Sequence, residues 1–384
     1  MPLRLAARDV ALLLTIASAF YYLLCLWSAR AFLRRRESPP SSFTPPISIL
    51  KPLKGSDPEM YESFRSHCLQ DYPDYELIFG VSDPNDPAIA EVERLRREFP
   101  QHTIRLVHCR ENLGANTKVS NLAQMLPEAR FEHLIVNDSD IRVPADYLRR
   151  IASGLSDPTV GMVTCLYRGK AASTLGSRLE ALGISTDFCA GVLAARQIEG
   201  GIRFGLGSTL AFPRKDLDAI GGFHTLVDHL ADDYELGRRI AERNRKVELS
   251  KAVVETFLPA YSLDGFLRHQ LRWARGVRDS RPRGYVGLAT TFGIVWAALT
   301  LVLAWGAPWA WTVLAAILGL RYAVALAVGK AVLQDRQVAA YALLIPLRDA
   351  IAFAVWLMSF AGNRVEWRGD TFRLKNGKLQ RLER

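Results

Sequence analysis

The sequence lacks the cysteine patterns of a disulfide-stabilised or zinc-binding protein. Its 384 residues include five cysteines, with no CxxC pair and no even, close spacing. Disulfide frameworks and structural zinc sites both depend on such spacing. We therefore expect reduced cysteines and a reducing compartment.

Two other absences exclude further classes of protein. With 49% hydrophobic and 23% charged residues, the chain lacks the polarity of a disordered protein. No G-x-G-x-x-G motif follows the first predicted strand, where Lys54-Gly55 stands instead, and this argues against a dinucleotide-binding oxidoreductase.

The length corresponds to two or three domains at roughly 150 residues each. The net charge of +10 suits nucleic acid, anionic lipid or a phosphorylated substrate.

Long apolar runs at both ends predict membrane helices. Residues 10–29 carry no charge, and at 1.5 Å per residue they cover about 30 Å of hydrocarbon. Arginines at positions 30 and 34–36 follow, which predicts an uncleaved anchor with its C-terminal side in the cytoplasm. Residues 286–305 and 309–329 are two more candidate spans. Arg321 interrupts the second, so it should face protein rather than lipid.

The last apolar stretch, 338–362, raises a problem of topology. Three crossings within 286–362 would place the basic tail, residues 363–384, on the non-cytoplasmic side, against the positive-inside tendency. The stretch also carries Arg348-Asp349, an adjacent ion pair that is costly at bilayer depth. We expect either a re-entrant segment or two half-helices lining a cavity. A plain helix with a buried salt bridge is the alternative.

The central region, residues 43–260, has the pattern of an α/β domain with a mostly parallel sheet. Short apolar runs alternate with segments of helical periodicity. Strands are predicted at 47–50, 76–81, 104–107, 133–136 and 160–164, and helices at 58–70, 87–98, 117–125 and 144–155. Ligands bind at the carboxyl ends of the strands in such sheets.

Acidic residues stand where that rule predicts a site. Asp138 and Asp140 directly follow the strand 133–136, and two carboxylates there suit a hard divalent cation that bridges phosphates. Asp232 and Asp233 open a predicted helix. One of them could cap the helix while the other faces a site.

Residues 261–280 predict an amphipathic helix at the membrane surface. Apolar side chains and Trp273 lie near one side, and arginines are distributed around the rest. Nucleic-acid binding is the competing interpretation of the arginines, and the neighbouring apolar segments argue against it.

Five segments, taken in order, resemble ceramide glucosyltransferases. More widely, they resemble membrane-anchored inverting glycosyltransferases that have the nucleotide-sugar fold called GT-A, with terminal transmembrane helices. The segments are 49–55, 83–89, 138–143, 233–234 and 272–273. Each is short, and their common order carries the resemblance.

The resemblance implies roles for individual residues. Asp83 would contact the uridine end of a UDP-sugar donor, and Asp138 with Asp140 would hold Mg²⁺ or Mn²⁺ against the diphosphate. Asp233 would be the general base. The family motif that ends in Arg272-Trp273 usually opens with Gln or Arg, and His269 occupies that position here.

Further donor contacts are expected near the strand ends. The candidates are Pro52, Lys54, Lys118 and Asn121. For Lys118 and Asn121 a solvated helix face is the alternative. The segment 205–209 could approach the acceptor closely, because glycine lets the backbone come near, or it could be an ordinary turn at a strand edge.

The expected function is inverting transfer of a sugar from a UDP-sugar to a membrane lipid, with glucose and ceramide as the leading pair. Transfer of N-acetylglucosamine to a hopanoid is the alternative, because the Arg- and Ala-rich composition and His269 favour a bacterial source. A non-catalytic binding module that keeps the fold is a third hypothesis. We expect an integral protein of the bacterial inner membrane with its catalytic domain in the cytoplasm.

Overall fold

The computed structural model describes residues 2–35, 42–367 and 370–381, which divide into two compact units. The sheet unit takes its residues from 42–170, 199–259 and 377–381. The helical unit takes its residues from 2–35, 171–198 and 260–376. Arg36 of the predicted basic cluster and residues 368–369 and 382–384 of the basic tail lie outside the described residues.

The sheet unit is built on a mixed sheet of eight strands in the order β3-β2-β1-β4-β7-β6-β8-β5. Its strands are β1 Ile47–Pro52, β2 Tyr75–Val81, β3 Thr103–His108, β4 His133–Val136, β5 Ile141–Arg142, β6 Val160–Lys170, β7 Leu210–Pro213 and β8 Lys246–Phe257. The tail adds β9 Arg364–Trp367, β10 Asp370–Lys375 and β11 Lys378–Arg381.

The helices follow in chain order. They are α1 Pro2–Arg34, α2 Met60–Cys68, α3 Ala88–Glu98, α4 Thr117–Met125, α5 Tyr147–Leu155, α6 Leu175–Gly183, α7 Cys189–Ile198, α8 Arg214–Ala219, α9 Asp232–Glu242, α10 Leu263–Ser280, α11 Pro282–Gly287, α12 Gly293–Leu303, α13 Pro308–Ala325, α14 Gln337–Ala340 and α15 Ile345–Ser359.

The predicted α/β organisation is confirmed, and the predicted strands and helices of the sheet unit all form. Strands β1 to β4 pair in parallel. Every residue of β1 and β2 is buried, as in a parallel sheet that is covered on both faces, whereas β3 lies at the edge of the sheet and is partly exposed. The prediction missed β5, β7 and β8. Strand β7 runs antiparallel to β4 and β6, so the sheet is less parallel than expected.

Among its described residues, the helical unit contains three helices long and apolar enough to cross a membrane, namely Leu3–Arg34, Pro308–Val332 and Ala342–Ser359. These cover the predicted anchor at 10–29 and the predicted span at 309–329. The predicted span at 286–305 is not one straight helix. Two helical segments, Pro282–Thr291 and Gly293–Leu303, meet there at 56° and would make a fourth span only as a bent pair.

Arg321 faces protein, as predicted, and its partner is Asp349. Its guanidinium donates two hydrogen bonds of 2.8 Å to the Asp349 carboxylate, and both side chains are buried. The expected ion pair between the neighbours Arg348 and Asp349 is therefore wrong. Arg348 donates instead to Gln270 at 3.0 Å. Consecutive side chains on a helix point in different directions, so each finds a partner on a different helix.

Two arginines of α10 satisfy the carbonyl groups that follow α15. Arg275 donates to the carbonyl oxygens of Ala361 and Arg364 at 2.9 and 2.6 Å, and Arg278 donates to that of Gly362 at 2.9 Å. Arg278 also donates to the carbonyl oxygen of Ser359, the last residue of α15, where a helix leaves its carbonyls without partners and cationic side chains are favoured. The predicted amphipathic helix is thus fastened to the end of the last apolar helix. The tail beyond it forms the antiparallel pair β9–β10.

Candidate active site

The ends of β1 and β4 bring a lysine and a carboxylate together. Lys51 of β1 is fully buried, and its ammonium donates to the backbone carbonyl of Asp138 at 2.9 Å. This contact ties the turn after β4 to β1. The Asp138 carboxylate is left free to face Lys118, whose ammonium lies 2.8 Å from its Oδ1.

Helix α4 delivers Lys118 to this position because Asn116 caps its start. The Asn116 side chain accepts from the Val119 N–H at 3.2 Å, as a helix cap does. Its amide also donates to the carboxylate of Asp232 at 3.4 Å. Lys118 reaches Asp232 as well, at 3.1 Å, so one ammonium bridges the loop after β4 and the start of α9.

Asp233 lies beside Asp138, with Gly207 between them. The Gly207 N–H donates to Asp233 Oδ2 at 2.8 Å. A Cβ at Gly207 would lie only 3.1 Å from Asp138 Oδ2 and 3.4 Å from Asp233 Oδ2. The absence of a side chain at Gly207 therefore leaves room between the two carboxylates. Neither Asp232 nor Asp233 is the helix cap, which is Ala231.

Asp140 and Asp57 complete a cluster of acids. The Asp140 carboxylate accepts from the Thr256 hydroxyl on β8, and Asp57 accepts from the Ser139 hydroxyl. We call the group the acidic cluster. It comprises Asp57, Asp138, Asp140, Asp232 and Asp233, with Lys51 and Lys118 among them.

Burial and mutual repulsion raise the pKa values of two of these carboxyl groups. Burial, reinforced by Asp138, raises the pKa of Asp140 to about 6. Burial and Asp232 raise the pKa of Asp233 to about 6 as well. Burial lowers the pKa of Lys51 to about 7 although the acids oppose that change. For Lys118 the acids outweigh burial, so its pKa is raised and it stays charged.

The acidic cluster fits a divalent cation that shares its ligands with a diphosphate. The part of the chain that the structure describes has no group of three or more His, Cys, Asp or Glu side chains arranged around one metal position. Mg²⁺, however, keeps several waters and takes one or two carboxylates together with substrate phosphates. Asp138 and Asp140 supply two carboxylates. The surplus of carboxylates over ammonium groups is a charge that such a cation would neutralise.

The predicted donor contacts fall into two groups. Asn121 is buried, and Lys118 is half-buried against the carboxylates of Asp138 and Asp232, so the alternative of a solvated helix face is wrong for both. Asn121 is 2% exposed and accepts from the Ser82 hydroxyl at 2.7 Å. Asp83 is exposed in the turn after β2, where it accepts from the Asn85 N–H at 2.8 Å.

The loops after β1 and β2 are joined by a residue that carried no predicted role. Asp86 accepts from the Gly55 N–H at 2.9 Å and from the Ala88 N–H at 2.9 Å. Pro52 is buried at the end of β1, and Lys54 is exposed in the loop that Asp86 holds. The Asp86 side chain therefore links the loops after β1 and β2, which carry predicted donor residues.

The motif of His269, Arg272 and Trp273 lies on α10 in the helical unit. The His269 ring packs against those of Tyr261 and Trp273, with centroids 5.3 and 5.6 Å away. Burial, together with Arg272, lowers the pKa of His269 to about 3, so the ring is neutral at pH 7. Phe188 contacts Trp273 edge to face.

Sequence reasoning missed three residues that these contacts involve. Lys51 belongs to the segment 49–55 that carries part of the family resemblance, but nothing in the sequence indicates that this lysine is buried. The others are Glu180, which is buried, and its half-buried hydrogen-bond partner Gln270, and both lie beside His269. Their spacing on two different helices carries no pattern that a single sequence reveals.

A model of glycosyl transferase family 21 matches residues 10–380 of the chain. The chain belongs to this family. It is 26% identical to ceramide glucosyltransferase 3 of Caenorhabditis elegans over 71% of this chain and 61% of that protein. It is 26% identical to the β-monoglucosyldiacylglycerol synthase of Synechocystis over 53% of this chain and 42% of that protein. The chain thus spans less than two thirds of these curated relatives.

A solved structure supports the fold assignment. The structure of a mannosyltransferase from Pyrobaculum calidifontis, in complex with GDP-Man and Mn²⁺, matches with a TM-score of 0.56. The match covers 92% of this chain and 99% of that chain at 22% identity. The prediction of a GT-A fold with apolar helices at both ends is confirmed.

Proposed function

We propose that this protein transfers a sugar from a nucleotide-sugar donor to a hydroxyl group of a membrane lipid with inversion. UDP-glucose and ceramide are the leading pair. The observation that carries the proposal is the acidic cluster, which joins Asp138, Asp140 and Asp233 at the carboxyl edge of the sheet in a family 21 chain. The candidate spans of the helical unit account for a lipid acceptor.

Asp233 is the proposed general base. The acceptor oxygen forms a bond to the anomeric carbon while the bond from that carbon to the diphosphate oxygen breaks. The electron pair leaves with the nucleoside diphosphate, and the hydroxyl proton passes to the Asp233 carboxylate. A pKa of about 6 keeps most of this group ionised at pH 7 while making it a stronger base than an ordinary aspartate.

The lysines and the other acids would serve the donor side. Lys118 holds one oxygen of Asp138 at 2.8 Å and thereby fixes the direction of that carboxylate. Asp138 and Asp140 are the proposed ligands of Mg²⁺ or Mn²⁺. A bound divalent cation would supply charge neutralisation for the leaving diphosphate. Arg272 is the proposed second source of positive charge for that group, and Asp83 the proposed contact to the uridine.

Several lipids offer a hydroxyl group on an apolar body, so the acceptor is proposed from the relatives of the chain. The names of these relatives refer to ceramide and to monoglucosyldiacylglycerol. The proposed placement is the bacterial inner membrane with the sheet unit in the cytoplasm, and the arginines that follow the N-terminal apolar segment support this orientation. Transfer of N-acetylglucosamine to a hopanoid stays the second proposal.

Mass spectrometry of lipids tests the proposal. Purified full-length protein in lipid nanodiscs is incubated with UDP-glucose or UDP-N-acetylglucosamine and with ceramide, diacylglycerol or a hopanoid. We expect a product heavier by one hexose with UDP-glucose and ceramide. A mass gain of one N-acetylhexosamine on the hopanoid would replace the leading pair by the second. No gain with any pair would contradict glycosyl transfer to these lipids.

A further inference from the structure

One face of α6 carries two glycines that let neighbouring segments of the helical unit pack closely against it. Gly176, Glu180 and Gly183 are spaced by four and three residues, so they lie on the same side of the helix. A Cβ at Gly176 would lie 2.7 Å from the Tyr261 carbonyl oxygen, just before α10 begins. A Cβ at Gly183 would lie 2.5 Å from the Arg348 guanidinium. Glycine at these two positions lets the start of α10 and Arg348 of α15 come close on either side of Glu180.

A chain of hydrogen bonds runs across this face. The Gln270 amide of α10 donates to Glu180 Oε2 at 2.7 Å, and its carbonyl accepts from Arg348 at 3.0 Å. Glu180 is 3% and Arg348 is 5% exposed. Breaking a buried pair of this kind leaves a polar group without compensation. Three helices therefore hold the Glu180 carboxylate in one place.

The second oxygen of Glu180 faces His269. Glu180 Oε1 lies 3.7 Å from His269 Nε2, and Arg272 lies 3.3 Å from His269 Nδ1. A guanidinium is only a donor, so Nδ1 accepts from it and the proton of the neutral ring must be on Nε2. That proton points toward the Glu180 carboxylate. The Glu180 carboxylate therefore favours the His269 tautomer with its proton on Nε2, and this tautomer leaves Nδ1 free to accept from Arg272.

We propose that Glu180 is a positioning residue that aims Arg272 through His269. The inference rests on the function proposed above, in which Arg272 meets the leaving diphosphate. Glu180 fixes the ring of His269, His269 accepts from the Arg272 guanidinium, and Gln270 with Arg348 keeps Glu180 in place. His269 replaces the Gln or Arg usual in the family motif. Glu180 is thus the partner that the replacement needs.

A double-mutant cycle tests this coupling. In full-length protein in nanodiscs, Glu180→Gln keeps an acceptor for Gln270 but removes the carboxylate charge that orients His269. We expect kcat to fall about tenfold. The same change in a His269→Gln background should alter kcat less than about twofold, because no imidazole is left to orient. Activity is measured with the donor and lipid that the wild type uses, and thermal unfolding checks that each variant folds.

Two further variants make the test specific. Asp264→Asn breaks the exposed Asp264–Arg268 pair on the same helix and should leave kcat within about twofold. Gly183→Ala displaces Arg348 without changing any charge, and it should lower kcat in the wild type but not in the His269→Gln background. If Glu180→Gln does not fold, Gly183→Ala in the same two backgrounds provides the test.

The outcomes separate the two proposals. A wild type that transfers no sugar to any lipid contradicts the proposed function. With an active wild type, equal losses of kcat from Glu180→Gln in both backgrounds would mean that Glu180 does not act through His269, and the inference would be overturned.

Discussion

At the scale of single residues, the environment of Asp233 separates it from the other acids of the cluster. Its two oxygens accept from the N–H groups of Gly207 and Tyr234 at 2.8 and 2.7 Å. Both contacts are to backbone, so they hold the carboxylate without a cation of its own. Asp138, by contrast, is paired with Lys118. A base needs lone pairs that a strong ion pair does not occupy, and Asp233 meets that requirement better.

Replacing Asp233 by Asn tests its role as base. The amide can still accept from Gly207, so the fold and donor binding should survive. We expect kcat to fall by at least about a hundredfold, while the Kd for the nucleotide sugar changes less than about threefold. Isothermal titration and a transfer assay measure the two quantities. Asp218→Asn, an exposed change on α8, should have no effect. Transfer retained within threefold in Asp233→Asn would remove it as the base.

The pH dependence of transfer follows from the same carboxyl group. Its raised pKa means that the proton returns as pH falls through about 6, well above the usual range of an aspartate. We expect kcat to be level near pH 8 and to fall tenfold per pH unit well below 6. Asp140 has a similar pKa and could steepen the decline. A profile that stays flat down to pH 5 would argue against both assignments.

Removal of metal tests the acids on the other side of the cluster. We expect EDTA to stop transfer and Mg²⁺ or Mn²⁺ to restore it, because Asp138 and Asp140 are the proposed ligands. Binding of Mn²⁺ in the presence of UDP, followed by electron paramagnetic resonance, should weaken at least about tenfold in Asp140→Asn. Asp74→Asn, exposed before β2, is the control. Full turnover in chelator would refute the metal role.

At the scale of elements, the polar residues of the apolar helices fix how those helices pack. Arg321 of α13 bonds to Asp349 of α15 and to the Thr186 carbonyl at 3.1 Å in the turn between α6 and α7. Ser185 in the same turn donates to Asp335 at 2.7 Å. Apolar side chains against lipid give little positional preference, so these polar contacts determine which helix faces are joined.

The Arg321–Asp349 pair gives a prediction about stability. Arg321→Met alone leaves a buried carboxylate without its partner, and we expect it to cost about 3 to 5 kcal/mol. The double change Arg321→Met with Asp349→Leu should recover most of that loss, because no charge is then buried. Thermal unfolding in detergent measures both. A double variant less stable than Arg321→Met would contradict this account.

At the scale of the whole molecule, the path of the chain through the membrane is still a proposal. The apolar segment Ala342–Ser359 is one helix by length and composition, whereas the basic tail favours the cytoplasmic side. The bent pair at 282–303 counts either as one span or as none. The resulting number of full crossings determines on which side of the membrane the tail lies. A re-entrant 338–362 stays our prediction.

Labelling of single cysteines tests this topology. The five natural cysteines are buried, so an added exposed cysteine should react first. We expect Thr371→Cys in the tail and Asn85→Cys in the sheet unit to react with an impermeant maleimide only in inside-out vesicles. A tail cysteine labelled from the outside of intact cells, with Asn85→Cys protected, would rule out the re-entrant segment.

The sequence by itself determined the local and ordered features of this protein. Apolar runs marked the ends of the chain, and alternating periodicities marked the first strands and helices, because burial sets both patterns. It also marked Asp138, Asp140 and Asp233 as acids at the ends of elements. Only the tertiary structure decided which side chains meet. Lys51 and Lys118 beside the acids, Asp349 with Arg321, and Glu180 with His269 are contacts between distant parts of the chain. Their partners depend on three-dimensional packing, and no spacing along one sequence encodes that.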